Sequence, residues 1–341
     1  MRNYAQLRHR LGRALAAFVA LVLVGCVTVA PPAAVDVPTP TPIEPAEPTP
    51  STAPPPISPP TPEPSRAEIA IVLDTSAPSH AVVAAEIVAA LPPRFYRVVQ
   101  LASDDTAALG ALRDQSITIV AVGSGAVAAA RTQLPKQPLV FCQVLAYEEL
   151  LDGDERIWGV PALPPLSLQL RGWKAIDPTL RTIALIVSDP HAHLAAEAQQ
   201  AADATATDLL IETSSSDRET LYLFRRLAAG VDGLWLLPDN EALSPSALRE
   251  ILRLAAARGI GVLTFSAALL DRGALLSATS VPADVAATVR RVVERVVAGR
   301  TADLPAMTPL SAAEFELNQS VAAALDLPSS TVPRWVTREP N

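Results

Sequence analysis

Ile69-Ala70-Ile71-Val72-Leu73, followed by an alanine-rich run over 80–91 and then by Tyr96-Arg97-Val98-Val99-Gln100-Leu101, is the stretch that decides the fold. The first run is apolar throughout instead of alternating, which marks a strand covered on both faces. The same rhythm continues with a helix over 105–114, a strand over 118–122, a helix over 126–133 and a strand over 139–144. Short apolar strands alternating with helices predict a parallel sheet with helices on each side.

A further helical stretch, 166–175, ends at Asp177-Pro178, and the pattern then restarts. Strands are expected over 182–187, 208–212, 233–237 and 261–265, with helices over 192–206, 219–229 and 244–257. Two doubly wound α/β lobes fit this chain better than one very wide parallel sheet. The expected organisation is an N-terminal lobe over 66–160 with a return segment at about 281–310. A C-terminal lobe follows over 161–280, completed by about 311–330, and residues 331–341 form a tail. The return segment contains an amphipathic helix, 284–298, closed by Gly299, and 314–327 reads as a short strand and helix.

The first 65 residues obey different rules. Arg2, Arg8, Arg10 and Arg13 precede an apolar run over 14–24, and Leu23-Val24-Gly25-Cys26 closes it. The run is short for a bilayer-spanning helix, which needs about 20 apolar residues. It resembles a lipoprotein signal, which implies cleavage before Cys26 and acylation of its thiol. Residues 1–25 are then a signal peptide, and 26–65 a lipidated cysteine with a proline-rich tether. In polyproline II geometry the tether reaches on the order of 100 Å. The expected location is a membrane-anchored lipoprotein facing the periplasm, with inner or outer membrane left open because Val27 follows the cysteine.

The chain's formal charge of -8 stands at -12 once the four arginines of the leader, which carries no acid, are removed. So acidic a surface argues against nucleic acid and against a polybasic membrane patch. With Cys26 blocked by lipid, Cys142 has no intramolecular partner, and its apolar surroundings predict a buried, inert thiol.

Several short stretches then combine: Thr182-Ile183-Ala184-Leu185-Ile186-Val187, Asp232-Gly233-Leu234-Trp235, Gly273-Ala274-Leu275-Leu276-Ser277, Val297-Ala298-Gly299-Arg300, and Glu316-Leu317-Asn318 leading into Ala322-Ala323-Ala324-Leu325. In order and spacing the chain from about residue 68 to 327 resembles the substrate-binding proteins of bacterial ABC importers with the type I periplasmic-binding fold. The branch it resembles most is the tryptophan/tyrosine-uptake type. The resemblance implies a small organic solute between the lobes and a permease partner in the membrane. One loop departs from the family: where an Asp-Pro pair and glycines are expected after the fourth strand, the chain reads Gln143-Val144-Leu145-Ala146-Tyr147-Glu148-Glu149.

Ligands of open parallel sheets bind beyond the carboxyl ends of the strands. The polar candidates there are Thr75 and Ser76 beside Asp74, then Ser124 between Gly123 and Gly125, and Gln143. The second lobe offers Ser188, Asp189, Asp239 with Asn240, and Ser266. Tyr147, Trp158 and Trp235 are candidate stacking surfaces, although Trp235 sits within an apolar strand. Ser124 and Gln143 are the residues expected to face the cleft. Each hydroxyl or carboxylate in this set also suits an ordinary helix N-cap.

Sharper chemistry is not indicated. Gly123-Ser124-Gly125-Ala126-Val127-Ala128 matches a dinucleotide fingerprint, but no acid follows at the required distance. His191 and His193 lack companion metal ligands in the sequence. No catalytic motif, cofactor or metal is therefore expected. A second reading is a non-transporting envelope module that binds a protein partner.

Overall fold

Four consecutive residues of β1 (Ala67–Leu73), Ile69 through Val72, have no exposed surface, as a strand sandwiched by helices requires. The computed structural model describes residues 66–145, 147–151, 154–188, 192–238, 243–328 and 333–339. Residues 1–65, on which the expected signal peptide, tether and Cys26 fall, lie outside the described residues. Among the described residues no helix is long and apolar enough to cross a membrane.

The first sheet joins β1 to β2 (Tyr96–Ala102), β3 (Thr118–Val122), β4 (Leu139–Cys142) and β5 (Ile157–Val160). Its order is β2-β1-β3-β4-β5 and every pairing is parallel. Between the strands lie α1 (Pro78–Ala90), α2 (Thr106–Gly110), α3 (Ser124–Gln133) and α4 (Glu148–Leu151).

The second sheet is built by β6 (Thr182–Val187), β7 (Asp208–Thr213), β8 (Gly233–Leu236), β9 (Gly261–Thr264) and β10 (Leu276–Ser280). Helices α5 (Leu166–Ile176), α6 (Ala192–Ala204), α7 (Asp217–Leu227) and α8 (Pro245–Arg258) cover it. Local chemistry sets the helix ends: the Ser244 hydroxyl accepts from Ala247 N–H, Pro245 occupies the first turn, and Gly259 ends α8 at φ 67°.

After β10 the chain leaves the second sheet. Helix α9 (Pro282–Val297) lies on the first lobe, where Val285, Val289, Val292 and Val293 pack against α1 and β4. Strand β11 (Ala312–Leu317) then returns to the second sheet, followed by α10 (Gln319–Ala324) and β12 (Arg334–Arg338). The full order is β12-β11-β10-β9-β8-β6-β7. The second sheet is thus mixed where an all-parallel one was expected. Ser280 at the end of β10 pairs with Ala313 near the start of β11, so the chain re-enters at the end it left and must run back antiparallel.

The terminal residues also differ from the expected tail. β12 is an edge strand whose Trp335 stacks on Phe315 at 5.2 Å, and Glu339 beyond it accepts from Arg171 at 2.7 Å and from Ser167 at 2.9 Å. Arg-Trp-Val-Thr-Arg alternates and is half-exposed, so it lacks the continuous apolar run by which the covered strands were recognised.

Three crossings therefore link the lobes: 161–165, 281 and 298–311. Asp284 fastens the second to the third, accepting from Ser311 N–H at 2.8 Å, Ser311 Oγ at 2.7 Å and Ala312 N–H at 3.0 Å. Gly159 lets the third run against β5: a Cβ there would stand 2.2 Å from Met307 Sδ and 2.4 Å from the Phe141 ring. Each sheet has a hydrophobic cluster on either face, and no cluster mixes strands of both sheets. The apolar driving force holds each lobe together separately, leaving the crossings as the joints.

Candidate functional site

Between the lobes lies a cleft of about 580 Å³. The first lobe contributes Ser79 and His80 from α1 and Gln143 from the loop after β4. The second contributes Ser266 beyond β9, Thr279 and Ser280 at the end of β10, and Glu314 of β11. Val82, Leu145, Leu163 and Phe265 form its apolar walls.

Gln143 is the unusual member. Its backbone is left-handed, at φ 58°, a conformation that non-glycine residues adopt rarely and at a cost of about 1–3 kcal/mol. Its side-chain Nε2 is buried with no hydrogen-bond partner among the described residues. Other described side chains, Trp173 among them, also bury a polar atom without a partner, but Gln143 is the one that lines the cleft and combines this with a left-handed backbone.

His80 is oriented by its own lobe. Nδ1 lies 2.9 Å from the Asp74 carbonyl oxygen, which only accepts, so Nδ1 carries the proton. Nε2 is then the ring's acceptor in the neutral form. Glu314, the one acid among the described cleft residues, pairs with Arg334 of β12 at 2.7 Å, which balances its charge.

The remaining sequence candidates are placed elsewhere. Thr75 and Ser76 occupy the exposed turn after β1, outside the cleft wall. Asp74 accepts from Ser76 N–H and from Gly125 N–H, each at 2.9 Å. The Ser76 backbone bond, above all, holds its carboxyl below the usual carboxylate range. Ser124, expected in the cleft, is exposed and faces a separate groove with Arg131 and Thr132. The Asp74 carboxylate already occupies the N-terminus of its helix, so that end has its anion without a ligand.

Ser188 is buried at the end of β6 and does not line the cleft. Ser266 does, and its side chain makes no capping bond to the short 3₁₀ helix Ala267–Arg272 that it precedes. Tyr147 lines a neighbouring apolar cavity, 6.3 Å from the Phe141 ring centre. Asp189, Asp239 and Asn240 lie outside the described residues. Trp158 and Trp235 are buried in the lobes, and Trp235 Nε1 donates to Gln169 Oε1 at 3.1 Å. Gln169 Nε2 in turn donates to the Pro164 carbonyl at 2.9 Å, tying the first crossing to the second lobe. Burial pushes the Cys142 thiol up to about 12, so the thiolate is not formed at neutral pH.

Ser79, His80, Thr279, Ser280 and Glu314 were not anticipated. The first two sit in a helix whose cleft-facing side depends on how it lies against α9. The others become cleft residues through the antiparallel β10–β11 pairing, in which Thr279 faces Glu314. The one local signal was Ser280-Val281-Pro282, a strand end running into a proline-started helix.

Two parallel-centred lobes, three crossings and a solvent-lined gap define a type I periplasmic-binding-like fold. Solved structures share it at low sequence identity. An ABC domain in complex with L-Trp from Streptococcus pneumonia superposes with a TM-score of 0.52 and 16% identity, covering 78% of this chain and 97% of that one. The ligand-free, open structure of a substrate binding protein with adhesive properties from Clostridium difficile reaches 0.60 at 14% identity, over 78% and 96% of the two chains. A conserved domain protein from Vibrio cholerae gives 0.51 at 14% identity, over 78% and 97%. No protein-family model matches the sequence, and no curated protein matches it either.

Proposed function

We propose that this chain is the extracytoplasmic solute-binding protein of an ABC importer, anchored to its membrane through lipid on Cys26, and that it takes a small organic solute between its lobes without chemically altering it. Gln143 carries the reading. Its backbone is left-handed and its amide donor is buried and unpartnered, at the wall of a gap whose other walls supply hydroxyls and an imidazole acceptor. A solute carbonyl or carboxyl oxygen completes that donor.

Binding is coupled to motion through the crossings. A ligand touching Gln143 on one lobe and Ser266 on the other bonds both only when the gap narrows, so it favours the closed state by its extra contacts there. The separate cores allow the rotation. The closed form is the one a permease would distinguish from the empty protein. The Streptococcus structure, whose fold is shared and which contains L-Trp, supports a cleft of this design.

A thermal-shift screen of amino acids, nucleosides and short peptides tests the reading. A cleft ligand at 100 times its dissociation constant stabilises by about 2.7 kcal/mol, an upward shift of several degrees. Absence of any stabilising small solute would remove the basis for transport.

A further inference from the structure

Leu145 of the loop after β4, together with Ala162, Leu163 and Pro164 of the first crossing and Pro238, stands between two cavities. Beside the polar cleft lies a second cavity of about 270 Å³, bounded by Val144, Leu145, Leu163, Leu194, Met307 and Leu310, with Tyr147 at its side. Its walls come from the first lobe, the second lobe and two of the crossings. Leu145, Ala162, Leu163, Pro164 and Pro238 line both spaces, so a single layer of side chains separates them. Glu197 is the only charged residue at its described edge, and its carboxylate accepts from Leu166 N–H at 3.4 Å. A closed aliphatic cavity of about 150 Å³ admits benzene; this space is larger and partly open, with aliphatic and proline carbon over most of its described wall.

The two spaces have complementary chemistry. The cleft offers a buried donor on Gln143, an imidazole acceptor on His80, hydroxyls on Thr279 and Ser280, and an acid already balanced by Arg334. We propose that the cleft and the apolar chamber are two compartments of one site, whose solute is an amphipathic small molecule. Its uncharged hydrogen-bonding head lies between Gln143, His80 and Thr279, and its apolar group, ring-sized or larger, passes Leu145 and Leu163 into the chamber. This rests on the cleft reading above and adds the ligand class. Because both lobes and the crossings form the chamber, an apolar group seated there also fixes the hinge angle.

The test is a titration of the full chain, followed by ligand-observed NMR, with acetamide, phenylacetamide and toluene. Phenylacetamide should bind about 10- to 100-fold more tightly than acetamide, the gain from burying one aromatic ring. Leu194→Phe fills the chamber from the second lobe and Met307→Phe from the third crossing, and neither residue lines the cleft. Both should abolish that advantage and leave acetamide binding unchanged. Circular dichroism and the ligand-free melting temperature verify that each variant is folded. Equal affinity for the two amides, or an advantage surviving in both variants, overturns the proposal. If toluene fails to bind while polar solutes do, the chamber is not a compartment and the cleft reading stands. If toluene binds but neither amide nor any screened solute does, the proposal and the cleft reading fall together.

Discussion

Replacing Gln143 with glycine should make the empty protein more stable and a poorer binder. Three contributions enter. Glycine adopts φ 58° without the steric penalty of an L side chain, a gain of about 1 kcal/mol. Removing a buried amide donor that has no partner returns a further 1–3 kcal/mol, roughly the cost of leaving such a group unsatisfied. Against these, glycine's greater freedom in the unfolded chain costs about 0.5–1 kcal/mol. The balance is about 1–3 kcal/mol of added stability. For a domain of this size each kcal/mol is worth about 2–4 °C, so the ligand-free melting temperature should rise by several degrees. For any solute recovered in the thermal-shift screen, loss of the donor should weaken binding about tenfold, the worth of one hydrogen bond. Differential scanning calorimetry with and without that solute measures both effects. A Gln143→Gly protein that melts lower than its parent in the absence of ligand would show that the amide is a structural support, and the binding argument from it would be wrong.

Two further outcomes are expected. Asp74→Ala should destabilise by about 1 kcal/mol at neutral pH, since the carboxylate caps Gly125 N–H, and chemical denaturation should reveal a pH dependence. Because the folded carboxyl titrates below its unfolded value, the wild-type advantage is complete above the ordinary carboxylate range and fades as pH falls through the lowered one; an advantage that persists in strong acid contradicts the cap. Cys26→Ala should release the chain from membranes or leave an unprocessed precursor on fractionation and mass measurement, and normal processing with unchanged membrane partition would contradict the anchor.

Legibility varied with the length of the signal. β1, β3, β4 and β6 announced themselves as unbroken apolar runs, and the structure buries them on both faces. The valine spacing of α9 was equally plain, and those valines are buried. β12 was not legible, because half of an edge strand faces solvent and its sequence resembles a polar tail. Of the two residues singled out for the cleft, Gln143 lines it and Ser124 does not. Both stand at strand ends. What separates them is Asp74, distant in sequence, which closes the α3 N-terminus and has no counterpart at Gln143.

The sequence by itself determined the alternation of strand and helix, the division into two α/β halves and the burial of Cys142, because these follow from hydrophobic period and run length, properties of neighbouring residues. Only the tertiary structure decided which polar groups share the cleft, that Glu314 enters it already paired with Arg334, and that Leu145 stands between a polar and an apolar space. Those depend on pairings between residues far apart in the chain, set by the direction in which the returning strand re-enters its sheet, and no local pattern encodes that direction.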